Sequence, residues 1–329
     1  MNVLYASDDK FAGILAASLV SLFENNKQEE ELQVFILDDG ISPENRERLN
    51  EIFSTYGRKS AFLRVNDIEI PDAFISNRWP KVAFIRLFIS DILDSSVHRL
   101  LYLDCDTIIQ APLAELWRTR LDGNIIAGVR DCLSFRYLEN LGMDRKSPYI
   151  NSGVLLIDLD QYREYHVKER VQRFIKAYAG VIRYPDQDVI NAVFEGKIYT
   201  LPPQYNTLTL FYDFSYDAMC KYRKPEAYYT RRQIEQAVNS PVIIHFTTSF
   251  LSLCRPWVEN SRHRYKEQFL YYRSLSPWKD MPLWKDNTSG LKKAYVKIYR
   301  CVPRKWAVAF SGFLHATAVP VLKKRRNRG

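Results

Sequence analysis

The segment Arg99-Leu-Leu-Tyr-Leu-Asp104-Cys-Asp106-Thr107 ends an apolar run in two carboxylates two residues apart. On an extended backbone such residues project from one face, so Asp104 and Asp106 are expected to converge. Apolar residues running right up to the acids place them at a strand's C-terminal edge, where open α/β sheets bind ligands. Converging carboxylates repel unless a positive charge sits between them, and a divalent cation is the simplest candidate. Oxygen ligands favour Mg²⁺ or Mn²⁺, whose natural partner is a diphosphate. Asp-x-Asp alone also fits an ordinary acidic strand-to-loop junction, so the surrounding sequence has to decide.

Elements that would position such a site follow from patterning. Val3 to Ala6 reads as a first strand that stops at Ser7-Asp8-Asp9. Phe11, Ile14, Leu15, Leu19 and Leu22 then keep helical spacing. Gln33 to Leu37, Ala61 to Val65, Leu100 to Leu103, Ile125 to Val129, Val154 to Ile157 and Pro241 to His245 read as further strands. Ser42-Pro43-Glu44 predicts an N-cap with proline in the first helical turn. Val82 to Leu93 and Val189 to Phe194 are expected to be helical. Strands alternating with helices predict an α/β fold, a Rossmann-like parallel sheet with a nucleotide crevice. Neither a Gly-x-Gly-x-x-Gly after the first strand nor a P-loop is present, so phosphate handling would rest on metal rather than a glycine cradle.

Composition narrows the class. The length of 329 residues allows one large domain or two small ones, and 47% hydrophobic residues suffice for a packed core. Net charge is +9, yet eleven basic residues and no acid follow Asp286, leaving about −2 for residues 1–286. A basic tail on a near-neutral body argues against nucleic acid as the partner. Five scattered cysteines without Cys-x-x-Cys spacing argue against a disulfide framework or a zinc site and suit a reducing compartment. Asp8 and Asp9 interrupt the N-terminus at once, so no signal peptide is evident and cytoplasmic residence is expected.

Asp104-x-Asp106, Asn151-Ser-Gly153, Asp186-Gln187-Asp188 and the stretch from His245 to Trp257 occur together in that order, after Ala6-Ser7-Asp8-Asp9 and Phe84-Ile85-Arg86-Leu87. This set closely resembles family 8 glycosyltransferases, particularly bacterial lipopolysaccharide galactosyl- and glucosyltransferases, over residues 1 to about 260. The resemblance implies a GT-A type nucleotide-sugar transferase fold. With it, residues 1–110 would be a UDP-binding region and 111–286 a donor-sugar and acceptor region of the same catalytic domain, while the charge pattern after Asp286 marks 287–329 as a basic amphipathic tail. The resemblance also implies a retaining hexosyltransferase that moves glucose or galactose from a UDP-sugar to a glycan or lipid-linked glycan. Asp104, Asp106 and His245 would hold Mn²⁺, with Mg²⁺ as the alternative, and Ala6 and Asp8 would form the uridine pocket. Arg86 would reach the donor sugar or diphosphate, while Asn151, Asp186 and Gln187 would line the sugar pocket. Asp131 would stand on the acceptor side.

Gln187 would sit beneath the anomeric carbon. Two routes stay open in the sequence: front-face attack through an oxocarbenium-like ion pair, and a covalent intermediate on Asp188. One segment departs from the family. Thr248 stands where a glycine is usual, and Arg255-Pro256-Trp257 replaces Lys-Pro-Trp about four residues late; Arg255 remains the candidate diphosphate donor.

The aromatics from Tyr205 to Tyr229 fit a core better than a sugar platform. Trp306 to Leu322 has no Asp, Glu, Lys or Arg and is flanked by basic clusters. It is short for a span and fits a peripheral anchor on the cytoplasmic, anionic face of a membrane. A nucleotidyltransferase is the competing enzyme class, but it would carry a glycine-rich basic loop where Ser7-Asp8-Asp9 stands. A catalytically degenerate membrane-binding module is the non-enzyme alternative.

Overall fold

The computed structural model describes residues 1–65, 82–249 and 251–326; the end of the expected tail, Arg328 included, lies outside them. Strands β1 (Asn2–Ser7), β2 (Gln33–Asp38), β3 (Lys59–Arg64), β4 (Arg99–Leu103), β6 (Ile126–Arg130), β7 (Ile150–Asp158) and β8 (Ile198–Thr200) form one sheet, in the order β3-β2-β1-β4-β7-β6-β8. The strands β5 (Thr107–Ile109), β9 (Thr207–Leu208) and β10 (Ile243–His245) form a second, ordered β5-β10-β9.

The large sheet is covered on both faces. Val3 and Tyr5, Val34 and Ile36, and Leu101 and Leu103 pack into one core, while Leu4, Phe35 and Leu37, and Leu100 and Tyr102 pack into the other. Burial on both sides explains why these strands read as continuous apolar runs rather than alternating ones. The helix Ala12–Asn25 covers the first face with eleven buried residues. Its neighbour Pro43–Thr55 starts as expected, with Pro43 in the first turn and Ser42 Oγ accepting from Asn45 N.

Three expectations need correction. The sheet is mixed: β3 to β4 are parallel and so are β6 and β8, but β7 between them runs antiparallel to both β4 and β6. An apolar run carries no strand direction, so patterning could not reveal this. The helix expected over Val82 to Leu93 is one α-turn, Val82–Ile85, followed by a 3₁₀ segment, Arg86–Asp91, with a break at Phe88. Leu87, Phe88 and Ile89 are all buried, which leaves no polar face for a regular amphipathic helix. Asp104 and Asp106 do not lie on an extended strand either. β4 ends at Leu103, and the acids occupy the turn into β5.

The C-terminal segment packs on the body. Helices Gly290–Cys301, Arg304–Phe313 and Val319–Arg326, with a π-turn at Leu314–Ala318, return over the helices Phe135–Asn140 and Tyr216–Arg223. Tyr137 Oη, Ser134 Oγ and Asn140 Nδ2 donate to the carbonyls of His315, Ala316 and Pro320 at 2.9, 3.0 and 3.0 Å. Gly312 lies so close to the helix below that a Cβ there would stand 2.7 Å from the Lys221 carbonyl oxygen. Backbone cannot yield as a side chain can, so Gly312→Val should overpack this contact and weaken it by about 1–3 kcal/mol. Limited proteolysis would then cut within residues 290–326 faster than in wild type, with the body left resistant.

Candidate active site

β10 builds the site. It pairs antiparallel with β5, with His245 opposite Thr107, and Phe246 N donates to Asp106 O at 2.9 Å. Residues almost 140 positions apart are thereby held in fixed register beside the acid turn. On the other side Asp104 N donates to Gly153 O at 2.8 Å, fastening the turn to β7. Below it, Cys105 Sγ meets Ala6 O at 3.0 Å at the end of β1.

The three side chains converge. His245 Nε2 lies 3.2 Å from Asp106 Oδ1 and 3.7 Å from Asp104 Oδ2, and the potential ligand atoms fall within 4.8 Å of one another. Gly153 makes room for them: a Cβ there would stand 2.7 Å from Asp104 Oδ2 and collide with the imidazole of His245. Asn206 Oδ1 accepts from His245 Nδ1 at 2.9 Å, which fixes that proton and leaves Nε2 facing the carboxylates. Two carboxylates and one imidazole nitrogen suit a hard to borderline divalent cation, so this donor set fits Mn²⁺ or Mg²⁺.

Arginines balance the acids. Arg86 Nη1 contacts Asp104 Oδ1 at 3.0 Å, Asp186 Oδ2 at 3.2 Å and the Ser152 carbonyl at 3.2 Å, and its guanidinium stacks 4.3 Å from the Tyr102 ring centroid. Tyr102 Oη donates to Asp104 Oδ1 at 2.8 Å. Arg255 Nη1 forms an ion pair with Asp106 Oδ2. Burial by itself would raise the Asp106 carboxyl, but the charge of Arg255 outweighs it and holds that group well below the ordinary carboxylate range.

A polar network runs on from His245. Asn206 Nδ2 donates to Asn151 Oδ1 at 2.9 Å, and Asn151 Nδ2 donates to Gln187 Oε1 at 2.9 Å. Gln187 Oε1 also accepts from Ser152 N at 3.3 Å, while its Nε2 donates to Asp131 Oδ2 at 3.1 Å and Tyr149 Oη at 3.2 Å. Every hydrogen-bonding position of that amide is engaged. A cavity of about 310 Å³ opens over this network, lined by Arg86, Asp104, Asp106, Asp131, Asn151 and Ser152, by Tyr184 to Gln187, and by Arg223, His245, Thr247, Thr248 and Arg255.

Three expected site residues lie off this cavity. Asp188 is buried: Oδ1 accepts from Tyr149 Oη at 2.5 Å, and Oδ2 accepts from Arg183 N at 2.6 Å and Tyr184 N at 2.9 Å. It holds the start of helix Pro185–Val193, with both carboxylate oxygens engaged. Asp8 Oδ1 accepts from Phe11 N at 2.8 Å, ahead of helix Ala12–Asn25, and Ala6 reaches the acid turn only through Cys105. The aromatics are core, as their number suggested: Tyr205, Phe211, Phe214, Tyr222 and Tyr229 are buried. Sequence reasoning missed Asn206, Tyr149, Tyr184 and Arg223. None stands in a spacing that marks a site, and only the register of β9 and β10 brings Asn206 to His245.

A model of the family described as glycosyl transferase family 8 matches residues 2–260. The chain belongs to glycosyltransferase family 8. It is 29% identical over 281 residues to General stress protein A of Bacillus subtilis, covering 84% of this chain and 94% of the relative. To the lipopolysaccharide 1,2-glucosyltransferase of Escherichia coli K12 it is 24% identical over 286 residues, covering 85% and 79%. The crystal structure of galactosyltransferase LgtC with donor and acceptor sugar analogues superposes with a TM-score of 0.70 at 23% identity, covering 84% of this chain and 96% of that one. The fold is of the GT-A type, and this family 8 member is a glycosyltransferase.

Two substitutions test the site's construction. Asn206→Ala removes the group that orients His245 and should weaken Mn²⁺ binding about 10–100-fold. Gly153→Ala should displace His245 and abolish high-affinity binding. Both are read by titrating Mn²⁺ against the protein and following free ion by electron paramagnetic resonance; wild-type affinity in either variant would remove these residues from the site.

Proposed function

We propose that this family 8 enzyme is a retaining hexosyltransferase that takes glucose or galactose from a UDP-sugar and attaches it to a glycan or lipid-linked glycan of the cell surface. The observation that carries this reading is the meeting of Asp104, Asp106 and a tautomer-fixed His245 beside a cavity lined by amide and carboxylate groups. Relatives named as lipopolysaccharide glucosyltransferases and a structural neighbour named as a galactosyltransferase support the choice of hexose and acceptor class. Asp104, Asp106 and His245 would hold Mn²⁺, or Mg²⁺ in its place. Bound there, the ion acts as a Lewis acid that neutralises charge building on the departing UDP.

The chain's own residues supply the rest. Arg255 sits on Asp106, and a donor diphosphate offers it a stronger, bidentate partner. Its transfer to phosphate would free Asp106 for the ion. Arg86 bridges Asp104 and Asp186 and so ties the diphosphate end to the sugar end. Asn151, Asp186 and Gln187 present fixed donors and acceptors to sugar hydroxyls, and Asp131 faces the acceptor. With Asp188 consumed in capping and the Gln187 amide fully engaged, the front-face route is the better supported. The bond from the anomeric carbon to the β-phosphate oxygen breaks, the acceptor hydroxyl oxygen bonds to that carbon from the same face, and its proton passes to the β-phosphate oxygen.

Asp8 and Ala6 remain the proposed uridine contacts. They stand at the end of β1, joined through Cys105 to the acid turn. UDP release from a panel of UDP-sugars, with and without Mn²⁺, tests the reading. Release is expected from one UDP-hexose, with metal only, and is expected to fall at least about a thousandfold in Asp106→Ala, since the ion supplies several kcal/mol of charge stabilisation. Metal-independent release, or full activity in that variant, would refute it.

The C-terminal segment is proposed to hold the enzyme peripherally on an anionic, cytoplasmic membrane face. No helix among the described residues is long and apolar enough to cross a membrane. Leu291, Ile298, Trp306, Phe310 and Phe313 are more than half exposed, among Lys292, Lys297, Arg304 and Lys305. Apolar residues beside cations suit acyl chains beneath anionic headgroups. Trp306→Ser with Phe310→Ser should lower binding to phosphatidylglycerol vesicles about tenfold or more, as two large apolar side chains are lost from the contact. Undiminished sedimentation with the vesicles would sink the assignment.

A further inference from the structure

Three guanidiniums line the catalytic cavity, and two of them are matched by acids: Arg86 by Asp104 and Asp186, and Arg255 by Asp106. The third, Arg223, is not. Among the described residues no carboxylate lies within ion-pairing distance of it. Its Nη1 meets the Nε2 of His315 at 2.9 Å, its Nε is buried without a partner, and its plane lies 5.1 Å from the Tyr222 ring centroid. A guanidinium can only donate, so His315 Nε2 must be the acceptor and the ring carries no charge. Burial, with Arg223 and then Arg183 adding their charge, pushes the His315 pKa down to about 2, so the ring is neutral throughout the working range.

The Asp131 carboxylate acts on Arg223 through space only, so the guanidinium keeps donors that no acid contacts directly. The structure nonetheless holds the guanidinium in place. His315 is stacked near Tyr222 and Tyr137, with ring centroids at 5.1 and 5.8 Å, and its carbonyl accepts from Tyr137 Oη. Arg223 stands among Asp131, Tyr184 and Gln187, at the end of the cavity assigned above to the acceptor. The donor diphosphate already has Arg255 and the acid-bound ion to meet its charge.

We infer that Arg223, positioned by His315 of the C-terminal segment, forms an anion subsite for the acceptor, so that the preferred acceptor is a glycan bearing a phosphate or carboxylate near the hydroxyl that receives the sugar. This rests on the hexosyltransferase reading for the word acceptor, but the anion subsite itself does not. Arg223 would form the direct contact, and His315 is a positioning residue. The C-terminal segment then supports the cavity through Arg223, in addition to any membrane contact. A phosphate and a carboxylate share the chemistry a guanidinium fork recognises, and only measurement separates them.

Calorimetric titration of the full chain with UDP and Mg²⁺ present provides the test, using glucose, glucose 6-phosphate and glucuronate as probes. Glucose 6-phosphate, glucuronate or both should bind about tenfold or more tighter than glucose, the size of a charge-assisted hydrogen bond. Which of the two gains identifies the anion. In Arg223→Gln the advantage should vanish, in Arg223→Lys part of it should remain, and in His315→Gln it should shrink.

Equal binding of all three probes by wild type, or an anion preference that survives in Arg223→Gln, would overturn the inference. So would a large loss of UDP affinity in Arg223→Gln, which would assign the guanidinium to the donor. Should Arg223→Gln fail to fold, Arg223→Lys and His315→Gln carry the test, and unchanged affinity in both for the anionic probe that wild type prefers would overturn it. If wild type binds no UDP, the transferase reading fails, while the comparison of both anionic probes with glucose, without UDP, still decides the subsite.

Discussion

Everything at this site depends on keeping Asp104, Asp106 and the Nε2 of His245 within 4.8 Å of one another against their mutual repulsion. Neither acid can move away. The Asp104 amide is tied to Gly153, the Asp106 carbonyl accepts from Phe246, and Cys105 between them is tied to Ala6. The electrostatic strain is met by Arg86 on one side and Arg255 on the other. These two arginines differ in kind. Arg86 is enclosed and contacts two acids and a carbonyl, so it reads as a permanent part of the wall. Arg255 has one acid partner and enters on a loop that departs from the family pattern, which suits a group that changes partner when an anionic ligand arrives.

Rigidity spreads outward from there through amides. Asn206, Asn151 and Gln187 form a chain from the imidazole to Asp131, each using both ends of its side chain. An amide suits this work because it donates and accepts in fixed directions and never changes charge. Such a chain makes the orientation of His245 and that of Asn151 and Gln187 one property rather than two. Burial of Asn151, Gln187 and Asn206 keeps water from competing for the same bonds.

The C-terminal segment has two faces with different chemistry. Towards the body, Gly312, His315 and Ala316 pack closely and bond to Tyr137, Ser134 and Arg223. Away from it, Trp306 and Phe310 stand in solvent beside Arg304 and Lys305. Composition alone identified this segment as basic and amphipathic. Its contact with Arg223 behind the cavity was invisible there, because a histidine in an apolar stretch carries no sign of the arginine it will meet.

Sequence by itself determined the elements that local chemistry controls. The runs at Val3, Gln33, Leu100 and Val154 became strands, and Ser42-Pro43 began a helix, because apolar burial and capping act over a few residues. The motifs at Asp104, Asn151, Asp186 and His245, taken together, marked the chain as a family 8 glycosyltransferase, which the family match over residues 2–260 bears out. Tertiary structure alone decided the rest. It placed the acids in a turn rather than on a strand, reversed β7, gave Asp188 to a helix start and brought Asn206 and His315 to their partners. Each of these depends on strand register or on contact between segments far apart in the chain. A residue type reports its own chemistry, while its partner is chosen by the packing of everything between them.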